Sequence, residues 1–289
     1  MKRHAGSIVS GFCLLAVLLV GVYVQPAVAS KGKVKLVYVE WSCATASANV
    51  MKAVLEEKLG YDVKLIPVAA AAMWQAVATG SADGFTTAWL PTTHADYLKG
   101  VAGKVEDLGP NLEGTRIGLV VPAYVTIDTI GQMNDVKEKF KSRIVGIDPG
   151  AGIMMKTEKV IDDYKLKRFR LIEGSGATMT AALKDAIRNK EWIAVTGWTP
   201  HWMFGRWDLK YLADPQNVYG GAESINTIVR NGLKAEMPEV YAVLDNFHWS
   251  PAQLQQVMVM NQQEDSDPYD NAVRWVNENP ESVNAWLAK

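Results

Sequence analysis

Ile144-Val145-Gly146-Ile147-Asp148-Pro149-Gly150-Ala151-Gly152-Ile153-Met154 reads as a short buried strand, a glycine-rich turn from Asp148 to Gly152, and the start of a helix. The helical pattern continues through Val160 and Ile161, and Arg170-Leu171-Ile172 reads as the next strand. The same order occurs about a hundred residues earlier. There, Val34 to Val39 is an apolar run that ends at Trp41, Val50, Val54, Leu55 and Leu59 share one helix face, Gly60 closes that helix, and Val63 to Val68 begins another strand. Each copy goes on through a helix beginning near Met73 or Met179 to a strand ending in a Trp-x-Pro turn, Trp89-Leu90-Pro91 or Trp198-Thr199-Pro200. Alternating strands and helices predict an α/β fold with parallel sheets covered on both faces. The repetition predicts two lobes: residues 30–118 as the first part of lobe one, 119–221 as lobe two, and 222–289 returning to lobe one. The returning tail reads as helices, with Ser250-Pro251-Ala252-Gln253 a capping box and Asp267-Pro268 opening another helix.

Residues 1–29 stand apart from this pattern. Lys2 and Arg3 precede an apolar run from Ile8 to Val24, and Ala27-Val28-Ala29 is a small-x-small cleavage site, so the segment reads as a secretory signal with Ser30 as the mature N-terminus. The other reading of the run is an uncleaved membrane anchor. Cys13 lies inside the run, behind Ser10-Gly11-Phe12, and does not fit a lipid-attachment site. A periplasmic protein is expected. The 30 basic and 31 acidic residues give a formal net charge of −1, and losing Lys2 and Arg3 with the leader takes it to about −3. With no long basic run, a nucleic-acid partner is not expected. Cys43 is then the one cysteine left, so no internal disulfide forms and packing alone stabilises the fold.

In open α/β sheets ligands sit beyond the carboxyl ends of the strands. Trp41, Trp89 and Trp198 all fall at such ends, and two facing lobes would bring them to one cleft. Tryptophan presents the strongest aromatic face to a cation, and a quaternary ammonium has no N–H for a carboxylate to accept. The bland reading of each is a core plug, and Trp74, Trp192, Trp202, Trp207, Trp249, Trp275 and Trp286 read as packing or surface residues. The Gly146–Met154 stretch adds a candidate anion site at a helix start, with the amides of Gly152 and Ile153 as donors. A glycine turn that binds nothing is the alternative. His94, five residues after Trp89, is a further candidate donor. The cation and anion sites together describe a zwitterion.

Catalytic constellations are missing from the sequence: no H-E-x-x-H, no G-x-S-x-G elbow and no G-x-x-x-x-G-K-[ST] loop. No catalytic residue, metal or cofactor is expected, and the reading is a binder and not an enzyme. Three stretches carry a resemblance that extends over essentially all of the mature chain. They are Ala88-Trp89-Leu90-Pro91-Thr92-Thr93-His94, Gly146 to Met154, and Thr196-Gly197-Trp198-Thr199-Pro200-His201-Trp202-Met203-Phe204. Through them the chain resembles the glycine betaine and proline betaine binding proteins of ABC-type osmoprotectant importers.

That resemblance implies a two-lobed type II periplasmic-binding-protein fold with a ligand cleft between lobes joined by two crossovers. It implies an ammonium cage of Trp41, Trp89 and Trp198, a carboxylate held by His94 and the amides of Gly152 and Ile153, and a monomer that delivers its ligand to a membrane permease and its ATPase. The chain departs from the family pattern at Glu40-Trp41-Ser42-Cys43, where relatives often carry Ala before the tryptophan and an acid after it. The Glu40 charge and the Cys43 thiol are therefore candidates for altering the ligand profile. A periplasmic sensor of the same compounds, or a hydrolase with an unfamiliar site, are the competing classes.

Overall fold

A computed structural model describes residues 30–288, so the leader expected at residues 1–29 lies outside the described residues. The chain begins with strand β1 (Lys33–Tyr38), helix α1 (Ser42–Glu57), β2 (Asp62–Pro67), α2 (Ala70–Ala78), β3 (Gly84–Leu90) and α3 (Ala95–Gly100). A long strand, β4 (Val105–Pro122), is followed by a 3-10 segment at Ile130–Phe140. The second copy of the motif runs β5 (Arg143–Val145), α4 (Gly152–Asp163), β6 (Arg170–Ile172), α5 (Gly176–Arg188), β7 (Val195–Thr199), α6 (Met203–Arg206) and β8 (Leu209–Tyr211). Strand β9 (Glu223–Arg230) precedes helices α7 (Leu233–Glu236), α8 (Pro238–Asn246), α9 (Pro251–Met260), α10 (Pro268–Glu278) and α11 (Pro280–Leu287).

Local sequence accounts for the ends of these helices. Gly60 takes a positive φ of 76° and its amide closes on Glu56 O, the left-handed stop a glycine permits after α1. Ser250 accepts from the Gln253 amide at 3.2 Å, with Pro251 at the first helical position of α9, and Asp267 caps α10 at 2.8 Å. Helix α1 buries Val50, Met51, Val54 and Leu55 completely between the first sheet and helices α9 and α10. Each such side chain contributes roughly 1.5 to 3 kcal/mol of burial. Trp275 and Trp286 stack at 5.9 Å beneath these helices, with Phe247 edge-on to Trp286 at 4.9 Å.

The strands follow one path, β2-β1-β3-β9-β4-β7-β5-β6, with β8 attached to β4. The expectation of parallel sheets holds at the two ends, where β1 pairs with β2 and β3 and β5 pairs with β6 and β7. It fails in the middle: β9 is antiparallel to β3 and β4, and β4 is antiparallel to β7 and β8. The cause is the route of the chain between its two halves. Strand β4 pairs with β9 as far as Thr115↔Glu223 and then with β7 from Arg116↔Thr199, so one strand serves both sheets. The return, from Tyr211 to Glu223, runs beside it. Among the described residues no helix is long and apolar enough to cross a membrane.

Candidate functional site

The carboxyl ends of β1, β3, β5 and β7 converge, and the residues at and just beyond them line one cavity. All six candidates line it: Trp41, Trp89, His94, Gly152, Ile153 and Trp198. Trp41 is the residue before α1, Trp89 lies one residue from the end of β3, and Trp198 sits in β7 opposite Ile117 of β4. The three indoles are 5%, 3% and 4% exposed. Cys43, Thr93, Ile117, Ile147 and Ala151 complete the wall. The Leu90-Pro91 and Thr199-Pro200 peptide bonds, which follow two of the tryptophans, are both cis.

His94 is held by a reciprocal turn. Its amide donates to Trp89 O at 2.8 Å, and the Trp89 amide donates to His94 Nδ1 at 3.1 Å. Nδ1 is therefore an acceptor, which assigns the ring proton to Nε2. Burial holds the imidazole pKa down at about 3, so the ring is neutral and Nε2–H is a donor at any physiological pH. The ring carbon Cδ2, bonded to Nε2, is among the atoms closest to Gly152, so the imidazole lies beside the start of α4.

Helix α4 starts where Gly150, at φ 82°, turns the chain and Ala151 takes the capping position. Met154 and Met155 donate back to Ala151 O. Among the described residues the Gly152 and Ile153 amides donate to no protein acceptor, and both residues line the cavity. Free N–H groups at a helix start suit an anion, and indole rings suit a cation, so the lining carries chemistry of both kinds.

The two halves of the molecule touch around this cavity. Trp41 Nε1 donates to Asp148 at 2.9 and 3.2 Å, and the Tyr97 hydroxyl donates to Gly150 O. A β-carbon on Gly152 would overlap Thr93 O and stand 2.6 Å from Thr93 Cγ2. Asp148, Thr93 and Tyr97 were not singled out from sequence. Asp148 lay in the quoted loop, but nothing local says which distant donor a carboxylate meets.

The departures at Glu40 and Cys43 separate in space. Glu40 is exposed and lines a larger cleft with Arg206 and Trp207, outside the site cavity. Cys43 lines the cavity itself and is fully buried, with burial raising its thiol to about 12, so it is a neutral wall group. It lies against the Trp198 indole, although Trp198 Nε1–H makes no hydrogen bond of ordinary geometry. Trp74, fully buried, backs His94 edge-on at 6.1 Å, a packing role. Among the described residues no group of three or more His, Cys, Asp or Glu is placed to hold a metal ion.

A family model described as the substrate-binding domain of ABC-type glycine betaine transport systems matches residues 32–278. The glycine betaine/carnitine transport binding protein GbuC of Listeria monocytogenes is 47% identical over 154 residues, 53% of this chain and 51% of its own length. The match therefore spans about half of that relative. Lactococcal OpuAC, in its closed-liganded conformation complexed with glycine betaine, aligns at a TM-score of 0.84 with 42% identity, over 89% of this chain and all of that one. The glycine betaine, L-proline binding protein ProX of Borrelia burgdorferi aligns at 0.86 with 40% identity, over 89% of this chain and 97% of that one. The fold is thus the two-lobed type II fold of periplasmic binding proteins, and the chain belongs to the family of substrate-binding domains of ABC-type glycine betaine transport systems.

Proposed function

We propose that this protein captures glycine betaine or a closely related quaternary-ammonium zwitterion outside the cytoplasm and delivers it to the permease of an ABC importer. One observation carries the reading: three indoles, a neutral imidazole and two residues whose amides have no protein acceptor line a single cavity. A trimethylammonium group is large, carries its charge diffusely and offers no N–H, so it is held by ring faces at roughly 1 to 2 kcal/mol per desolvated face. A carboxylate a few ångströms away accepts from Gly152, Ile153 and His94.

On this reading residues 1–29 are the export signal, residues 30–118 with 222–289 form one lobe, and residues 119–221 form the other. Trp41, Trp89 and His94 belong to the first lobe and Gly152, Ile153 and Trp198 to the second, so neither lobe alone makes a complete site. The ligand stabilises the closed arrangement by its extra contacts there, and closure distinguishes loaded from empty protein for the permease.

The test is calorimetry with glycine betaine, proline betaine, carnitine and choline. Glycine betaine is expected to bind at least about tenfold more tightly than choline, which keeps the trimethylammonium but lacks the carboxylate, since one charge-assisted hydrogen bond is worth roughly 1.5 to 3 kcal/mol. Equal affinities would remove the anion site, and no binding of any quaternary ammonium would overturn the function.

A further inference from the structure

We propose that Glu223 is a positioning residue that ties the second connection between the halves to the anion-holding end of the cavity; this rests on the reading of the site given above. Glu223 is 4% exposed and does not line the cavity. Its Oε1 accepts from the Thr92 amide at 2.7 Å, the Thr92 hydroxyl at 2.6 Å and the Thr93 amide at 2.7 Å, and its Oε2 accepts from the Thr93 hydroxyl. One buried carboxylate thus gives both oxygens to a single turn, more than 120 residues away in sequence. Charge-assisted bonds of this kind are roughly twice as strong as neutral ones, so Glu223 anchors the turn.

The two ends of that link give it meaning. Glu223 opens β9 and pairs with Thr115, the last residue of β4 to face β9 before β4 crosses to β7 at Arg116. It therefore sits where both connections between the halves lie side by side. Three residues earlier Gly220, at φ 87°, packs so closely on the turn that a β-carbon would stand 2.9 Å from Thr92 Oγ1. At the other end of the link, Thr93 O abuts Gly152, and the next residue is His94, whose amide closes the turn on Trp89 O. The turn held by Glu223 thus supplies the surface against which α4 seats and carries the imidazole that lies beside Gly152. A rotation about the connections is transmitted to the carboxylate end of the site through Glu223, while Trp41 and Trp198 stand on other segments.

Reach and charge make different predictions for the two conservative variants. Glu223→Gln keeps the length, and its amide oxygen can take the three donors at Oε1 while its NH₂ meets the Thr93 hydroxyl as an acceptor. Glu223→Asp keeps the charge but falls one methylene short of the turn. With calorimetry for glycine betaine and displacement titration for choline, Glu223→Asp is expected to weaken glycine betaine by at least about tenfold, change choline by less than about threefold, and be largely rescued in Glu223→Gln. Equal losses for both ligands would mean a merely structural anchor and overturn the proposal, as would wild-type selectivity in Glu223→Asp. Hydrogen exchange of the ligand-free protein supplies a readout independent of the ligand. The Thr92 and Thr93 amides should lose protection in Glu223→Asp while α4 and α1 keep theirs, and unchanged protection would refute the link even if the wild-type protein bound no betaine. Wild-type failure to bind glycine betaine would instead count against the proposed function alone. Should Glu223→Asp not fold, Thr93→Val, which removes the bond to Oε2, carries the same comparison with the same expected bias toward the carboxylate ligand.

Discussion

Trp41 Nε1–H donates to both carboxylate oxygens of Asp148, at 2.9 and 3.2 Å, across 107 residues of sequence. The bond does two things at once. It fixes the rotation of the indole, and it joins the residue before α1 to the turn before α4. Asp148 also places a carboxylate against the Trp41 indole. A donor satisfied in this way contributes roughly 1.5 to 3 kcal/mol when its acceptor is charged.

Asp148→Ala is accordingly expected to weaken glycine betaine about tenfold or more, and Asp148→Asn by less, since the amide oxygen still accepts from the indole. Calorimetry on the two variants tests this. Wild-type affinity in Asp148→Ala would show that the indole needs no such partner.

Removing a wall of the cage admits water to the cation. Trp41→Ala, Trp89→Ala and Trp198→Ala should each weaken betaine binding more than about tenfold, at roughly 1 to 2 kcal/mol per face plus lost ring contact. Trp286→Ala is the contrast: that ring is fully buried among Phe247 and Trp275, so its loss should cost about 3 to 5 kcal/mol of stability and leave the affinity of the folded protein unchanged. Urea unfolding beside calorimetry separates the two kinds of tryptophan.

The positions of the cage candidates were legible because their signals are local. A strand end, a Trp-x-Pro turn and a glycine-rich helix start each occupy a few consecutive residues, and Trp41, Trp89, Trp198, Gly152 and Ile153 meet in one cavity accordingly. The partners of those residues were not legible. Asp148 meets Trp41, and Glu223 meets Thr93, through contacts that depend on how two distant segments are brought together. Strand β4 was hidden for another reason. Gly109, Pro110 and Gly114 look like loop signals, yet they lie within one strand whose register against β9 shifts at Asp107/Pro110, Pro110/Leu112 and Glu113/Thr115. Glycine and proline there accompany bulges and do not end the strand. The antiparallel centre of the sheet went unseen with it.

Two buried histidines make stability depend on pH while binding does not. Burial holds His94 and His201 at about 3, whereas a histidine in the unfolded chain titrates near 6.5. Above pH 6.5 both states are neutral and this contribution to stability is complete. As the pH falls from 6.5 toward 3 the unfolded chain takes up protons that the native protein refuses, so stability declines by up to about 1.4 kcal/mol per pH unit for each histidine. The urea midpoint should therefore drop between pH 6.5 and 4.5, and less steeply in His201→Gln. Glycine betaine affinity should stay flat from pH 8 to pH 5, because His94 keeps its Nε2 proton throughout. A binding curve with a midpoint near 6.5 would show that His94 titrates in the site.

Gly152 tests whether the halves must meet for the ligand to be held. Its backbone carries no positive φ that would bar a side chain, and it opens α4, where alanine is a better helix former by about 1 kcal/mol in a helix interior and by less at this first position. Within its own half an alanine is therefore tolerated. Across the cavity it is not: the β-carbon would overlap Thr93 O and crowd Thr93 Cγ2 at 2.6 Å and His94 Cδ2 at 3.0 Å. A backbone carbonyl held in a turn cannot swing aside as a side chain can, and overpacking of this kind costs roughly 1 to 3 kcal/mol. In an open arrangement the clash disappears, so the substitution acts on the closed state alone. Gly152→Ala should then melt, without ligand, within a few degrees of the wild-type protein, yet bind glycine betaine about ten- to a hundredfold more weakly. Small-angle scattering adds the mechanical half of the test. Saturating glycine betaine should reduce the radius of gyration of the wild-type protein, and at the same ligand concentration it should reduce that of Gly152→Ala far less. Wild-type affinity and full compaction in Gly152→Ala would mean that Thr93 and α4 do not come together when ligand is held, and the assignment of the carboxylate to the amides of Gly152 and Ile153 would fall with it.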